Sequence, residues 1–475
     1  MKISTLLFCF LTLIGCATEG TESVGSTDAS RPNIILLVAD DHGKDALGCY
    51  GNTVVQTPNL DQLAAVGTRF NRAFCTTASC SASRSVILTG LHNHANGHYG
   101  HQHAYHHFSS FSQVKSLPVL LAEGGNYRTA HVGKYHVAPE TVFHFQQRFE
   151  ANARSPIEMA QVCESFVKSE SSQPFFLYFC FSDPHRGGGF AEELPHQPDR
   201  FGNQVAGYPG IEEVIYDPDE VLVPPFLPNT PETRAEIAQY YQSISRLDQG
   251  VGKLVDYLKS SGKFENTLIM YISDNGMAFP GAKTTLYEAG MQLPCIVKLP
   301  QQRESVVSNA MLSWVDLVPS ILDVADVPFA DSSFHGRSFV PVLHGEDTGQ
   351  QEVTASHTFH EVTMYYPMRV IRGEKYKLIM NLASGLKYPF ASDLHASKTW
   401  QSVLNNNLSS LGQKPVDEFL HRPRFELYDL ENDPWETRNL ANLPEHAPRL
   451  EKMTASLKRF QERTGDPWFY KWEYE

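Results

Sequence analysis

Three apolar runs of strand length, each stopping at charged side chains, constrain the fold of this chain more than any other feature. Asn33-Ile34-Ile35-Leu36-Leu37-Val38-Ala39 runs into Asp40-Asp41-His42-Gly43, and Thr267-Leu268-Ile269-Met270-Tyr271-Ile272 into Ser273-Asp274-Asn275-Gly276. Pro174-Phe175-Phe176-Leu177-Tyr178-Phe179-Cys180-Phe181 runs into Ser182-Asp183-Pro184-His185-Arg186. Unbroken apolar runs suit strands buried on both faces, and in open α/β sheets ligands collect at the carboxyl ends of such strands. From about residue 33 to about residue 343 such runs alternate with helical patterns. This predicts an α/β fold with a large, mostly parallel sheet sandwiched by helices. The clearest helix spans 235–259, where Ile237, Tyr240, Tyr241, Ile244, Leu247, Val251, Leu254, Val255 and Leu258 recur at helical spacing as a core face. At 475 residues the chain exceeds one ordinary core, so two domains are expected, 32–345 and 352–475, joined by the polar, glycine-containing stretch at 345–351. In the second, 368–372 and 376–380 flank Gly373-Glu374-Lys375 as a hairpin, 425–430 reads as a strand and 443–463 as a terminal helix, a smaller antiparallel α+β domain.

Cys80-Ser81-Ala82-Ser83-Arg84 sets a thiol four residues before a guanidinium. A helix beginning at Ser81 or Ala82 would aim its free N–H groups, with Arg84, at negative charge on Cys80. An inert buried Cys is the alternative. Asp40, Asp41, Asp274 and Asn275 offer three carboxylates and an amide carbonyl from two strand ends, a hard oxygen set that suits calcium or magnesium better than zinc. Residues 129–136 alternate, so Lys134 and His136 are expected on one face of an extended segment. His185 is a candidate general acid.

In this order the Asp pair, C-x-A-x-R with Leu88-Thr89-Gly90, Gly133-Lys134-Tyr135-His136, Asp183-Pro184-His185 and Ser273-Asp274-Asn275-Gly276 resemble the type I sulfatases of the alkaline phosphatase superfamily. The likeness is greatest to the sulfamidase branch, the N-sulfoglucosamine sulfohydrolases. Ser116-Leu117-Pro118, Val137-Ala138-Pro139-Glu140-Thr141-Val142, Tyr216-Asp217-Pro218, Asp248-Gln249-Gly250-Val251-Gly252, His360-Glu361-Val362-Thr363-Met364 and Asp466-Pro467-Trp468 carry it across nearly the whole chain. The resemblance implies that a maturation enzyme oxidises Cys80 to formylglycine (3-oxoalanine), whose hydrate is the nucleophile. It implies Ca2+ held by Asp40, Asp41, Asp274 and Asn275 against residue 80. Arg84 and Lys134 would neutralise charge, Lys283 would touch the sulfuryl oxygens, protonated His185 would serve the leaving group, and His136 would be the base that expels sulfate. His360 and Glu361 are expected beside a sulfated saccharide, with a salt-bridged pair near the domain junction as the alternative. Ala82 stands where the family more often has Pro, and Lys283 where the sulfamidases are expected to carry Arg. The second departure keeps open an O-sulfatase acting on another polysaccharide. An unmodified, non-catalytic glycan-binding surface lipoprotein is the reading from a different class.

A net charge of −14 argues against a nucleic-acid partner and against steering of a long polyanion, so a local basic pocket must recognise sulfate at a chain end or on a short saccharide. His92, His94, His98, His101, His103, His106 and His107 crowd one segment, read as a loop lining the pocket mouth, with zinc as the alternative. At the N-terminus the apolar run 3–14 is too short to span a bilayer, and Leu13-Ile14-Gly15-Cys16 resembles a bacterial lipoprotein signal. The expectation is a signal peptide at 1–16, a lipid on Cys16, a polar tether at 17–31, and export to the bacterial cell envelope with membrane contact only through the lipid. A plain secretory signal is the alternative. Of eight cysteines, the signal, lipid and nucleophile positions leave five, which define no disulfide framework.

Overall fold

The computed structural model describes residues 31–187, 200–346 and 350–474. Residues 1–30 lie outside these, and with them the expected signal, Cys16 and nearly all of the tether; so do 347–349 in the expected connection.

Nine strands form the main sheet: β1 (Asn33–Ala39), β2 (Thr68–Phe74), β3 (Arg128–Gly133), β4 (Gln147–Phe149), β5 (Phe175–Cys180), β6 (Thr267–Ser273), β7 (Gln292–Leu293), β8 (Cys295–Lys298) and β9 (Val306–Ser313). Their order is β4-β3-β5-β1-β6-β8-β2-β7, with β9 on β2. The stretch β4-β3-β5-β1-β6 is parallel throughout, and β8 turns the sheet antiparallel. Helices cover both faces, which is why β1 is apolar and buried at every position from Ile34 to Ala39. Ile34, Leu36 and Val38 enter a core with Val86, Ile87 and Leu88 of α1 (Cys80–Thr89), while Ile35, Leu37 and Ala39 enter a second one. That second core takes Met159 and Cys163 of α2 (Pro156–Lys168) and Leu247, Val251 and Leu254 of α3 (Pro231–Ser260). The long helix starts ahead of its expected apolar face because Thr230 Oγ1 accepts from Thr233 N at 3.3 Å and Pro231 occupies the first turn. α4 (Leu317–Val324) packs on the α1 side.

The second sheet is antiparallel, in the order β10 (Glu352–His357), β11 (Met368–Gly373), β12 (Tyr376–Asn381) and the last strand at Phe425–Asp429; β13 (Ser410–Leu411) and β14 (Lys414–Pro415) form a separate ribbon, so that last strand is β15. The hairpin expected around Gly373-Glu374-Lys375 is present, as is a terminal helix after α5 (Ser392–His395), namely α6 (Ala447–Arg463). The expected division at 345–352 falls between the two sheets. Bonds cross it: Ser356 N donates to Thr76 O at 2.7 Å, Tyr287 OH to Glu426 Oε2 at 2.8 Å, and Arg372 pairs with Glu288 at 3.0 Å. By contacts Pro32–Glu475 is one compact unit. Among the described residues no helix is long and apolar enough to cross a membrane.

Candidate active site

Strand register gathers the site. Ala39 pairs with Ser273 and Val38 with Cys180, so Asp40 and Asp274 leave adjacent strand ends side by side, with the Asp183-Pro184-His185 loop on the other flank of β1. The ladder continues one step further, Asp274 N donating to Ala39 O and Asp40 N to Asp183 O. Asp41 then takes a left-handed turn, φ 68°, a conformation Asp tolerates better than most residues. The turn directs its backbone N–H to Asp274 Oδ1 at 3.1 Å.

α1 supplies the thiol. It begins at Cys80 itself, after the extended Ser79, and all ten of its residues are buried. Cys80 Sγ donates to Asp41 Oδ1 at 3.5 Å. The expectation that Arg84 and the helix start would favour a thiolate is not met. Burial, and Asp41 next, push the Cys80 thiol well above the ordinary cysteine range, beyond what Lys283 and Lys134 offset. Arg84 is engaged elsewhere, donating from Nε to Asp274 Oδ2 at 2.8 Å and from Nη1 to Lys134 O at 3.1 Å. An unmodified thiol here is a poor nucleophile.

Lys134 and His136 do not share a face. β3 ends at Gly133, φ 83°, where an added Cβ would lie 2.0 Å from Cys180 O, and His136 is itself left-handed at φ 54°. The alternation therefore stops. Lys134 Nζ reaches Asp40 Oδ2, while His136 turns to a histidine cluster, its Nε2 lying 2.6 Å from His103 Nδ1. His185 keeps 26% of its side chain exposed, with Nδ1 at 2.6 Å from Asp41 Oδ2 and 3.2 Å from Lys283 Nζ. Burial, then Lys283 and Lys134, hold it below the ordinary histidine value.

Three carboxylates (Asp40, Asp41, Asp274) meet three cations (Arg84, Lys134, Lys283) in a cage, with a fourth carboxylate, Asp393, on Lys283. Burial disfavours charge on each carboxylate. Lys134 and His185 nonetheless hold Asp40 below the usual range, and Lys283 and His185 hold Asp41 well below it. Asp274 goes the other way: burial, with Asp40 and Asp41 beside it, pushes it up to about 7 in spite of Arg84. Two buried oxygens of the cage, Asp40 Oδ1 and Asn275 Oδ1, accept no hydrogen bond, while Asn275 Nδ2 donates to Asp41 Oδ1 at 2.6 Å and so turns its carbonyl oxygen away from that carboxylate. Unpartnered hard oxygens among crowded carboxylates fit a divalent cation such as calcium. Ligand atoms of Asp40, Asp41, Cys80 and His185 lie within 4.8 Å of one another. A dication added to three cations outweighs the four carboxylates and leaves the site positive, as an anionic sulfate group requires.

Lys283 is fully buried between Asp41 Oδ2 at 2.9 Å and Asp393 Oδ2 at 3.0 Å. Asp393, on α5, was not foreseen; a lone Asp in Ser-Asp-Leu-His carries no motif. Glu361 anchors that helix, accepting from Ser392 N at 2.7 Å and Ser392 Oγ at 2.8 Å. His360 is 2% exposed and bonds Ser79 Oγ at 3.0 Å, beside the nucleophile position. The two are therefore not a salt-bridged pair. Arg369 is structural, its Nη2 donating to Asp466 Oδ1 at 2.9 Å. So is Asp183, gripped by Arg246 and Arg154 at 2.7–3.0 Å.

The family model described as Sulfatase matches residues 32–327, and the one described as N-sulphoglucosamine sulphohydrolase, C-terminal, matches residues 281–405. The N-sulphoglucosamine sulphohydrolase of Homo sapiens is 39% identical to the chain, covering 92% of each. An ulvan-active sulfatase of Formosa agariphila is 29% identical, covering 93% of this chain and 82% of its own. A solved structure of a protein in complex with its substrate, D-glucosamine-2-N,6-O-disulfate, shares the fold at a TM-score of 0.65 and 21% identity, over 92% of this chain and 99% of that one. With a matching family model over more than half its length and a relative of this identity spanning nearly all of it, the chain belongs to the sulfatase family.

Proposed function

We propose that this sulfatase hydrolyses the N-sulfate of an N-sulfoglucosamine unit in heparin- or heparan-type saccharides, with Cys80 matured to formylglycine and calcium held by Asp40, Asp41, Asp274 and Asn275. The observation that carries the substrate reading is the 39% identity to the human N-sulphoglucosamine sulphohydrolase, sustained over 92% of both chains. A likeness confined to the sulfatase motifs would not extend so far.

When present, the formylglycine hydrate supplies the nucleophile and calcium the Lewis acidity that ionises it and polarises the sulfuryl group. The chain's own residues do the rest. Arg84, fixed by Asp274, and Lys134, on Asp40, hold positive charge where it stabilises the negative charge on the sulfate oxygens in the transition state. Lys283 is immobilised by two carboxylates, so its field is set before substrate arrives. His185, the partly exposed ring at the rim of the cage, delivers a proton to the departing nitrogen. His136, buried and held neutral, keeps a free Nδ1 as base for the second step.

An O-sulfate on another polysaccharide is the second reading, favoured by Lys283 and by the 29% identity to an ulvan-active sulfatase. Assaying glucosamine N-sulfate against glucosamine 6-O-sulfate and ulvan fragments separates the two, and a preference for esters would refute the first. Mass spectrometry of the Cys80 peptide should show formylglycine, and chelation of calcium should abolish turnover in a manner reversed by calcium. The reading includes export with a lipid on Cys16, supported by Leu13-Ile14-Gly15-Cys16; labelled palmitate incorporated into the wild type and not into Cys16→Ser tests it.

A further inference from the structure

Five imidazoles meet beside the start of α1, outside the carboxylate cage, with His360 bonded to Ser79 Oγ at 3.0 Å and the His136 carbonyl accepting from Ser81 Oγ at 2.6 Å. The ring of His101 lies 4.8 Å from that of His103, 5.7 Å from His106, 4.9 Å from His136 and 3.8 Å from His360, centroid to centroid. His101 is 7% exposed, and neither of its ring nitrogens has a hydrogen-bond partner. Nδ1 of His136 is likewise buried without a partner. Leaving one such group unpaired costs about 1–3 kcal/mol, so a trio of orphaned nitrogens facing other imidazoles is a costly arrangement for packing alone.

Ligand atoms of His101, His103 and His106 lie within 4.8 Å of one another. We propose that these three histidines form a second metal site, for a zinc-class divalent ion, with a fourth coordination position left open. Three neutral imidazoles and no carboxylate are a borderline-soft donor set, which calcium, a seeker of oxygen ligands, would refuse. Burial, with Lys283 beside His101 and Lys134 beside both rings, lowers the pKa of His101 and His103 and so favours free lone pairs on them. The same two ammonium groups repel any cation, which selects an ion that binds imidazole strongly over one held by charge alone. His103 must exchange its contact with His136, and His106 its contact with Val362 N at 3.1 Å, when the metal binds. His101 gives up nothing, so it is the anchoring ligand.

The test is metal retention by the full-length, calcium-loaded protein after incubation with zinc and gel filtration, read by elemental analysis, with cobalt(II) substitution read by visible absorption. The wild type should keep one zinc per chain and show a four-coordinate cobalt spectrum. Both should persist in Cys80→Ala and Asp274→Asn, which alter only the carboxylate cage. Affinity should fall by roughly tenfold or more in His101→Leu and in the exposed variant His103→Gln, the second serving if the first perturbs folding. No retained zinc, zinc that survives both histidine substitutions, or zinc lost instead in the cage variants would overturn the proposal. Because the readout is binding, its failure is distinct from failure of the sulfatase reading.

Discussion

Lys283 is where the charges of the pocket meet, its buried ammonium shared by Asp41, Asp393 and His185 at 2.9–3.2 Å. Asp393→Asn removes one compensating carboxylate and leaves the ammonium acting more fully on His185, which burial and then Lys283 already hold low. An acid works only while protonated, so activity through His185 is lost as pH rises through its pKa. A lower pKa moves that loss to lower pH. The alkaline limb of the kcat profile of Asp393→Asn is therefore expected to shift toward acid, and a profile superimposable on wild type would show that Lys283 does not govern His185. Asp40, Asp41, Asp274 and Asn275 were legible because an apolar strand that stops at an acidic residue says where that residue must emerge. Asp393 was not, because its meaning lies in a contact with a residue 110 positions away and not in its neighbours. Nor could the thiol's fate be read: its helix-start setting argued for thiolate, and full burial, with the close approach of Asp41, reverses the sign.

At the scale of elements, runs buried on both faces were readable as strands from composition alone, and the parallel order of β3, β5, β1 and β6 then follows from the helices between them. The failure was local. Residues 129–136 alternate as a strand would, yet β3 must end at Gly133, because a backbone carbonyl of β5 occupies the place of a side chain there. Alternation carries no record of such a neighbour. Gly133→Ala forces a Cβ to 2.0 Å from Cys180 O in a left-handed conformation, which the edge of β5 cannot yield to without moving. The expected cost is about 2–3 kcal/mol of stability, seen as a lower Tm in calorimetry. Catalytic loss should exceed that cost, since Lys134 follows directly and would leave Asp40. Unchanged Tm and turnover would mean that β3 is free to shift relative to β5.

For the molecule as a whole, buried histidines set the response to acid. Burial holds His42 and His98 at about 4, and His94, His131 and His357 at about 3. Unfolded, each titrates near 6.5, so below that pH the unfolded chain takes up protons that the folded one refuses, and stability falls as pH falls. Each contributes about 1.4 kcal/mol per pH unit in that window, and five together consume a typical ~5–15 kcal/mol of stability within about two units. Asp274, folded at about 7, and Asp248 and Asp316, each pushed by burial to about 6, oppose them: all three titrate near 3.8 otherwise and favour the folded state as pH falls, but they are three groups against five. The loss should not be confined to one sheet. His94 bonds Ser356 on β10 and Thr464 after α6, both at 2.8 Å, while His357 at the end of β10 faces Thr77 ahead of α1 at 3.2 Å. Charging these rings severs the second sheet from the first while loosening both. Calorimetry of the full-length protein should therefore show one transition whose Tm drops steeply between about pH 6.5 and about pH 4.5. Added calcium should raise Tm more at alkaline than at acid pH, since it binds the deprotonated Asp274. A flat Tm across that range would mean the buried rings accept protons in place, and two separate transitions would mean that the sheets unfold independently despite the histidines between them.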